Sequence, residues 1–289
     1  MTVTHQVLAV VPSYRPSSAD LLGLVTVLTS QGIPVIVADD ASPCTADAVL
    51  RETAALGARV VRHGTNAGIA RSLNDGLRSA DEVGARWLLT VDQDSTLTTD
   101  YLAALLETAD SSESILGPGA VGAVAAGGIA DASGALTYPV TEVDGVQTTA
   151  EVIQTGTIWA VDALLALGGF DESLGIDAVD AAACLALRKA GMRIVLAPGL
   201  EITHRVGNGR QVRVLGRDVL ASGHSPERRT TIVRNRLRLF PAEFAQDPIH
   251  AMRTLRRVAM NTALAVTIEE QRAANAWAAA RALVPRRGH

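Results

Sequence analysis

Two hydrophobic periods alternate along the first hundred residues. Short β-branched or apolar runs occur at Val7–Val11, Pro34–Ala38, Ala58–Arg62 and Arg86–Val91, each of strand length. Between them, Ala19–Ser30, Ala46–Leu56 and Ile69–Ser79 carry apolar residues at helical spacing. Gly32 and Gly57 sit where helices end, and Thr45 could cap the second helix. Strand–helix–strand alternation with connections this short predicts a parallel sheet covered on both faces. Right-handed crossovers then bring the C-terminal end of every strand to one edge, where open α/β sheets bind ligands.

Past residue 110 the pattern weakens. Ser111 to Thr149 is glycine-rich and irregular, with only weak strand candidates. Val152–Val161 and Met192–Ala197 read as further strands, Asp162–Leu167 and Val179–Ala190 as helices. Beyond Gly209 an arginine-rich helical region is expected, ending in the alanine-rich stretch Ala251–Leu283. One mixed α/β domain, Rossmann-like and mostly parallel with a helical C-terminal extension, accounts for this order.

Composition narrows the class. A chain of 289 residues with 48% hydrophobic positions can build a large core. Twenty-six basic against 30 acidic residues give a net charge of −4, which argues against a nucleic-acid partner. Nearly all the basic residues are arginine, Lys189 being the one lysine, which reads as coding bias. Cys44 and Cys184 match no disulfide framework or zinc spacing, so a reducing cytoplasm is expected. Val7–Val11 is too short for a leader segment and runs at once into Pro12 and Arg15. Ile115 to Ala130 holds five glycines and a proline and falls short of the ~20 residues of a membrane span.

The strand ends carry the candidate chemistry. They are Pro12-Ser13-Tyr14-Arg15, Asp39-Asp40-Ala41-Ser42, His63 to Gly68, and Asp92-Gln93-Asp94-Ser95. Acids gathered on one edge repel unless a cation or polar ligand is present. Asp92 and Asp94, two positions apart, can address one hard cation, or divide between a metal and a sugar hydroxyl; a solvated acidic turn is the plain alternative. A carboxylate at Asp39 or Asp40 can accept from a nucleobase imide or a ribose hydroxyl, or simply open a turn. Asn66-Ala67-Gly68-Ile69-Ala70-Arg71 starts a helix whose free amides, with Arg71, suit a diphosphate, or else forms an ordinary cap. Gly117-Pro118-Gly119-Ala120-Val121-Gly122 matches a dinucleotide fingerprint, but no strand precedes it and the glycines after it oppose a helix; it is expected to be a loop at a strand edge.

These segments, in this order and spacing, resemble inverting glycosyltransferases of family 2 with the GT-A fold. The resemblance rests on Val11 to Pro16, Val37 to Ser42, Asn66-Ala67-Gly68 with Asn74-Asp75-Gly76-Leu77, and Leu89 to Ser95, and the Asp-Gln-Asp-Ser form is similar to the rhamnosyltransferase branch. Thr155 to Trp159 and Gly168 to Glu172 resemble the acceptor-side strand and turn, Ile176 to Asp180 the catalytic segment, and His204 to Gly207 the terminal histidine motif. Ser225 to Arg229 with Arg234-Asn235 fits the later segment. The resemblance implies residues 1–110 as the nucleotide-sugar half, 111–208 as the acceptor and catalytic half of the same domain, and 209–289 as the extension.

Carried over by position, the resemblance implies Asp39 or Asp40 on a pyrimidine base and Asp92 on the ribose. Pro12, Tyr14, Arg15, Asn66, Gly68, Arg71 and Gln93 complete the donor side. It implies Asp94 and His204 as ligands of Mn²⁺ or Mg²⁺, Asp180 as general base, and Gly156, Thr157, Trp159 and Asp177 on the acceptor. The donor would be dTDP-rhamnose, with a UDP-hexose or UDP-galactofuranose as the near alternative, and the acceptor a surface polysaccharide or a lipid-linked glycan. The branch's usual acid two positions after the base and its later arginine are Ala182 and Ala186 here, and its paired tyrosines are Thr230 and Thr231. These departures leave a catalytically silent nucleotide-sugar module as the alternative of another class. A dinucleotide oxidoreductase would rest on Gly117–Gly122 alone. Arg253, Arg256, Arg257, Arg272 and Arg281, interleaved with apolar residues, could lie on an anionic membrane, but Glu269-Glu270 breaks the basic face and favours packing on the domain or on a second subunit.

Overall fold

The computed structural model describes residues 6–131, 134–203, 210–214, 217–221, 224–268 and 271–282. His204 lies outside the described residues. Contacts divide the chain into two compact units, one of residues 1–175 and 179–204, the other of 176–178 and 205–289.

In the first unit, four strands and the helices between them follow the predicted alternation: β1 (Val7–Ser13), α1 (Ser18–Ser30), β2 (Val35–Asp39), α2 (Asp47–Ala55), β3 (Arg59–Arg62), α3 (Ile69–Glu82) and β4 (Trp87–Thr90). Thr45 is no cap; it sits in a short 3-10 turn, Cys44–Ala46, that runs into α2. Then come α4 (Tyr101–Leu116), β5 (Val121–Asp131), β6 (Gly134–Thr137), β7 (Thr141–Val143), β8 (Val146–Thr149), β9 (Thr157–Ala160), α5 (Val161–Ala166), α6 (Val179–Lys189) and β10 (Arg193–Thr203). The sheet order is β3-β2-β1-β4-β9-β5-β10-β8-β7, with β6 beside β5.

Strand alternation divides the core into two layers. Val7, Ala9 and Val11 face Leu21, Leu28, Leu102 and Leu105 of α1 and α4, while Leu8 and Val10 face Leu73, Leu77 and Leu187 of α3 and α6. At Gly76 a side chain would collide with Val10, so the glycine lets α3 lie close on β1.

β5 departs from expectation. Its run of Gly, Ala and Val hides an eleven-residue strand behind a loop-like composition. A Cβ on Gly122 would come within 3.0 Å of Leu187, and one on Gly127 within 2.9 Å of the Ala197 carbonyl, so small residues there answer to the packing of α6 and β10. The fingerprint Gly117–Gly122 joins the end of α4 to the start of β5, a helix-to-strand connection that reverses the strand-to-helix turn a dinucleotide needs.

The second unit opens on a hairpin, β11 (Arg210–Val214) and β12 (Arg217–Ala221), where only helix was expected. Three helices follow: α7 (Pro226–Gln246), α8 (Pro248–Thr267) and α9 (Arg272–Ala282). Among the described residues, no helix is long and apolar enough to cross a membrane.

Candidate active site

Topology gathers the predicted segments. β1, β2, β3 and β4 run parallel. Because β9 is antiparallel to both β4 and β5, β5 runs with β4, and β10 runs with β5. The C-terminal ends of all six therefore share one edge. α3 and α6, each returning the chain to a parallel strand, begin at that same edge. Their starts are close: the Ala70 N–H faces the Gly175 carbonyl at 3.4 Å, and a Cβ on Gly68 would stand 2.5 Å from that oxygen.

The end of β2 holds two buried acids with different partners. The Asp39 carboxylate is fully buried; its Oδ2 accepts from Ser42 N–H at 3.2 Å and pairs with Arg62 Nε at 3.1 Å. Its Oδ1 has no hydrogen-bond partner among the described residues. Asp40 is spent differently. Oδ1 accepts from Ala67 N–H and Oδ2 from Gly68 N–H, both at 2.8 Å, and His63 Nδ1 stands 2.9 Å from Oδ1. Asn66 Nδ2 donates to the Asp40 carbonyl at 3.2 Å. The loop expected to offer open amides to a diphosphate is thus closed on Asp40, and Asn66 and Gly68 hold it there. Arg71, one turn on, is exposed.

His63 lies between two carboxylates, with Asp75 Oδ2 2.5 Å from its Nε2. Burial opposes its charge, but the hydrogen bonds and charges of Asp40 and Asp75 outweigh that and raise its pKa above 6.5. Arg78 in turn pairs with Asp75.

At the end of β4, the Gln93 amide is turned onto β1. Its Oε1 accepts from Ser13 Oγ at 2.9 Å and from Tyr14 N–H at 3.1 Å, and its Nε2 donates to the Tyr14 carbonyl at 3.0 Å. Gln93 thereby extends the β1–β4 ladder by one side chain, a positioning role in place of the expected donor contact. Arg15 N–H donates to Ser42 Oγ at 2.8 Å, tying β1 to β2, and its guanidinium lies 5.1 Å from the centroid of the exposed Tyr14 ring. Arg15 and Ala41 both take left-handed backbone angles, with φ of 50° and 60°. Non-glycine residues seldom do so, and such positions cluster at ligand sites. Pro12 is buried within β1, beside Ala38.

Asp92 is braced from the segment before β9. Its N–H donates to Thr155 Oγ1 at 2.9 Å, Gln154 Nε2 donates to its Oδ1, and Ser95 Oγ lies 2.8 Å from Thr155 Oγ1. Asp94 is exposed on the same turn. A turn bearing two carboxylates is a hard oxygen set that fits Mg²⁺ or Mn²⁺. β10 ends at Thr203, whose carbonyl accepts from Thr96 N–H at 3.0 Å, two residues beyond Asp94.

The expected acceptor strand is core. Trp159 is 0% exposed, its indole N–H donates to Thr90 Oγ1 at 2.8 Å, and its ring meets Phe170 edge-on with centroids 5.6 Å apart. Thr157 and Gly156 are also buried. Gly156, at φ 73°, donates to the Thr90 carbonyl at 2.7 Å and accepts from Tyr101 Oη at 2.7 Å. All three face the core. They fix the segment that holds Asp92.

Asp180, half-buried, stands in the first turn of α6 and accepts from Ala181 N–H at 2.8 Å. Burial first, and then the Asp180 charge, keeps the Cys184 thiol and the Tyr138 phenol protonated. In the second unit, Asp177 pairs with Arg228 at 3.1 Å, and Asn235 Nδ2 donates to the carbonyls of Ile176 and Asp177 at 3.1 and 2.9 Å. Asp177 and Ala178 are again left-handed, at 68° and 63°. The late motif therefore clamps residues 176–178. Reading the sequence missed Arg62, His63, Gln154 and Tyr101 as supports. His63, Asp75 and Thr155 lay inside segments already named; Arg62, Gln154 and Tyr101 act through contacts of long sequence separation.

Residues 9–128 match the family model of Glycosyl transferase family 2. Over those residues the chain is similar to a family 2 glycosyltransferase domain. Over 248 residues it is 27% identical to the dTDP-rhamnosyl transferase RfbF of Shigella flexneri, covering 81% of this chain and 79% of that protein. Among solved structures it is similar to S. aureus TarS 1–349 in complex with UDP-GlcNAc, with a TM-score of 0.58, 15% identity, and coverage of 96% of this chain and 79% of that one. Against a longer TarS chain the TM-score is 0.55 at 16% identity, and the match covers 92% of this chain but 44% of TarS. These likenesses show the GT-A fold.

Proposed function

We propose that this glycosyltransferase moves rhamnose from dTDP-rhamnose, with inversion, onto a hydroxyl of a glycan or lipid-linked acceptor. The observation that carries this reading is the convergence of Asp39, Asp92, Asp94 and the start of α6, with Asp180, on one sheet edge. The relative named as a dTDP-rhamnosyl transferase supports the sugar.

On the donor side, Asp39 is favoured over Asp40 for the pyrimidine. A buried acceptor without a partner costs about 1–3 kcal/mol, and the base imide N–H would satisfy Oδ1. Asp92, oriented by Thr155 and Gln154, would accept from the ribose. Asp94, with His204 following Thr203, would hold Mn²⁺ or Mg²⁺. When bound, that ion would offset charge growing on the leaving diphosphate. Tyr14, Arg15 and Arg71 are exposed groups for the rest of the donor.

Asp180 takes the acceptor proton as the hydroxyl oxygen forms its bond to the anomeric carbon. The bond from that carbon to the diphosphate breaks, and its electron pair leaves with the diphosphate. One base and one displacement give inversion. A UDP-sugar donor is the second reading, because TarS, on the same fold, is described with UDP-GlcNAc.

Release of nucleoside diphosphate, measured with dTDP-rhamnose and with UDP-sugars in the presence of Mn²⁺ and a mixture of glycan acceptors, tests this. Preferential turnover of dTDP-rhamnose is expected. Preferential turnover of a UDP-sugar would replace the donor, and donor binding without turnover of any sugar would leave only the silent module.

A further inference from the structure

The second unit carries a surface that sugar transfer does not use. Helix α8 buries Ala251, Thr254 and Ala265 on one side. On the opposite side, at spacings of three and four, it exposes Ile249, Met252, Arg253, Arg256 and Met260, with Arg257 beside them. Ile249 is 66% exposed, Met252 51% and Met260 52%. Arg253, Arg256, Arg257, Met260 and Asn261 line a shallow groove on this side. No acid occurs anywhere in α8, although the chain as a whole is at −4. Arg253 and Arg256 form no ion pair among the described residues.

We propose that this face of α8 docks the enzyme on an anionic phospholipid surface. Long apolar side chains alternating with arginines suit the boundary between headgroups and acyl chains: Ile249, Met252 and Met260 enter the acyl margin while the guanidinium groups stay at the phosphates. A second copy of the chain fits poorly, since a symmetric contact across this face would lay arginine on arginine. Nucleic acid fits poorly too, because the arginines share their stripe with three exposed apolar side chains. The surface role is independent of the donor and base assignments.

Co-sedimentation of the full chain with vesicles tests it. Binding to vesicles containing phosphatidylglycerol, weakened by salt, is expected, with little binding to phosphatidylcholine alone. Arg253→Glu with Arg256→Glu should lower the partition coefficient at least about tenfold, since each arginine near an anionic surface contributes about a fivefold step. Ile249→Ser with Met260→Ser should weaken it while leaving its salt dependence in place, which covers the case of a charge-reversed chain that fails to fold. The idea is overturned by wild-type protein that stays in the supernatant with anionic vesicles. Binding indifferent to both double variants overturns it as well. So does a loss of oligomeric mass in the charge-reversed variant, which would make the face a contact between copies.

Discussion

The edge formed by β3, β2, β1 and β4 and the half built on β9, β5 and β10 use polar residues in opposite ways. On the first, acids stand at strand ends and their neighbours aim them: Gln93 across to β1, Arg62 onto Asp39, Thr155 and Gln154 onto Asp92. On the second, the residues that look chemical are enclosed. Trp159, Thr157 and Gly156 spend their hydrogen bonds on Thr90, Ile153 and Tyr101. The two are coupled, because the enclosed segment is the brace of Asp92. Polarity at a parallel strand end marks a site, whereas polarity next to an antiparallel strand inserted between parallel ones marks the scaffold behind it.

Variants on either side can break that contrast. The largest effect is expected at Asp180→Asn, where kcat should fall about 10²–10⁴-fold, the range of a lost general base, with donor affinity unchanged. Full turnover in single-turnover assays would move the base elsewhere. Asp39→Asn should weaken nucleotide binding about 10- to 100-fold by calorimetry, as expected for a charge-assisted hydrogen bond; Asp40→Asn should instead lower thermal stability by undoing the loop at Ala67 and Gly68.

Trp159→Phe sharpens the contrast from the scaffold side. Loss of the indole N–H to Thr90 and of core volume should cost about 1–3 kcal/mol in denaturant unfolding, with acceptor KM unaltered. A raised KM at full stability would return Trp159 to the acceptor.

The smallest effect expected is one of pH. His63 has a folded pKa raised above its ordinary 6.5, so its pairing with Asp40 and Asp75 stabilises the protein fully below that ordinary value and is lost as pH rises through the folded one. Thermal midpoints of the wild type should decline across that window, and His63→Gln should flatten the decline. A slope identical in the variant would assign the pH dependence to other groups.

How far the sequence was legible follows from chain order. β1 to β4 alternate with helices, so each strand end could be located and its acids named. β5 was hidden because Gly122 and Gly127 answer to Leu187 and Ala197, residues far along the chain. Val152–Val161 was expected as one strand, but only Thr157–Ala160 pairs; Gln154 and Thr155 turn across the edge to reach Asp92. Asp39 and Asp40 could not be told apart by position. Their partners, Arg62 on one side and the Ala67 and Gly68 amides on the other, separate them.

The account stands on a nucleotide diphosphate and its cation being held where the parallel strands end. Titration calorimetry of dTDP-rhamnose with Mn²⁺, on the wild type and on Asp94→Ala, addresses this directly. Saturable binding that weakens at least about tenfold in the variant, and by a similar factor on chelation, is the result predicted. Binding that is indifferent to both Asp94 and the metal, or no binding of any nucleoside diphosphate sugar, would contradict it.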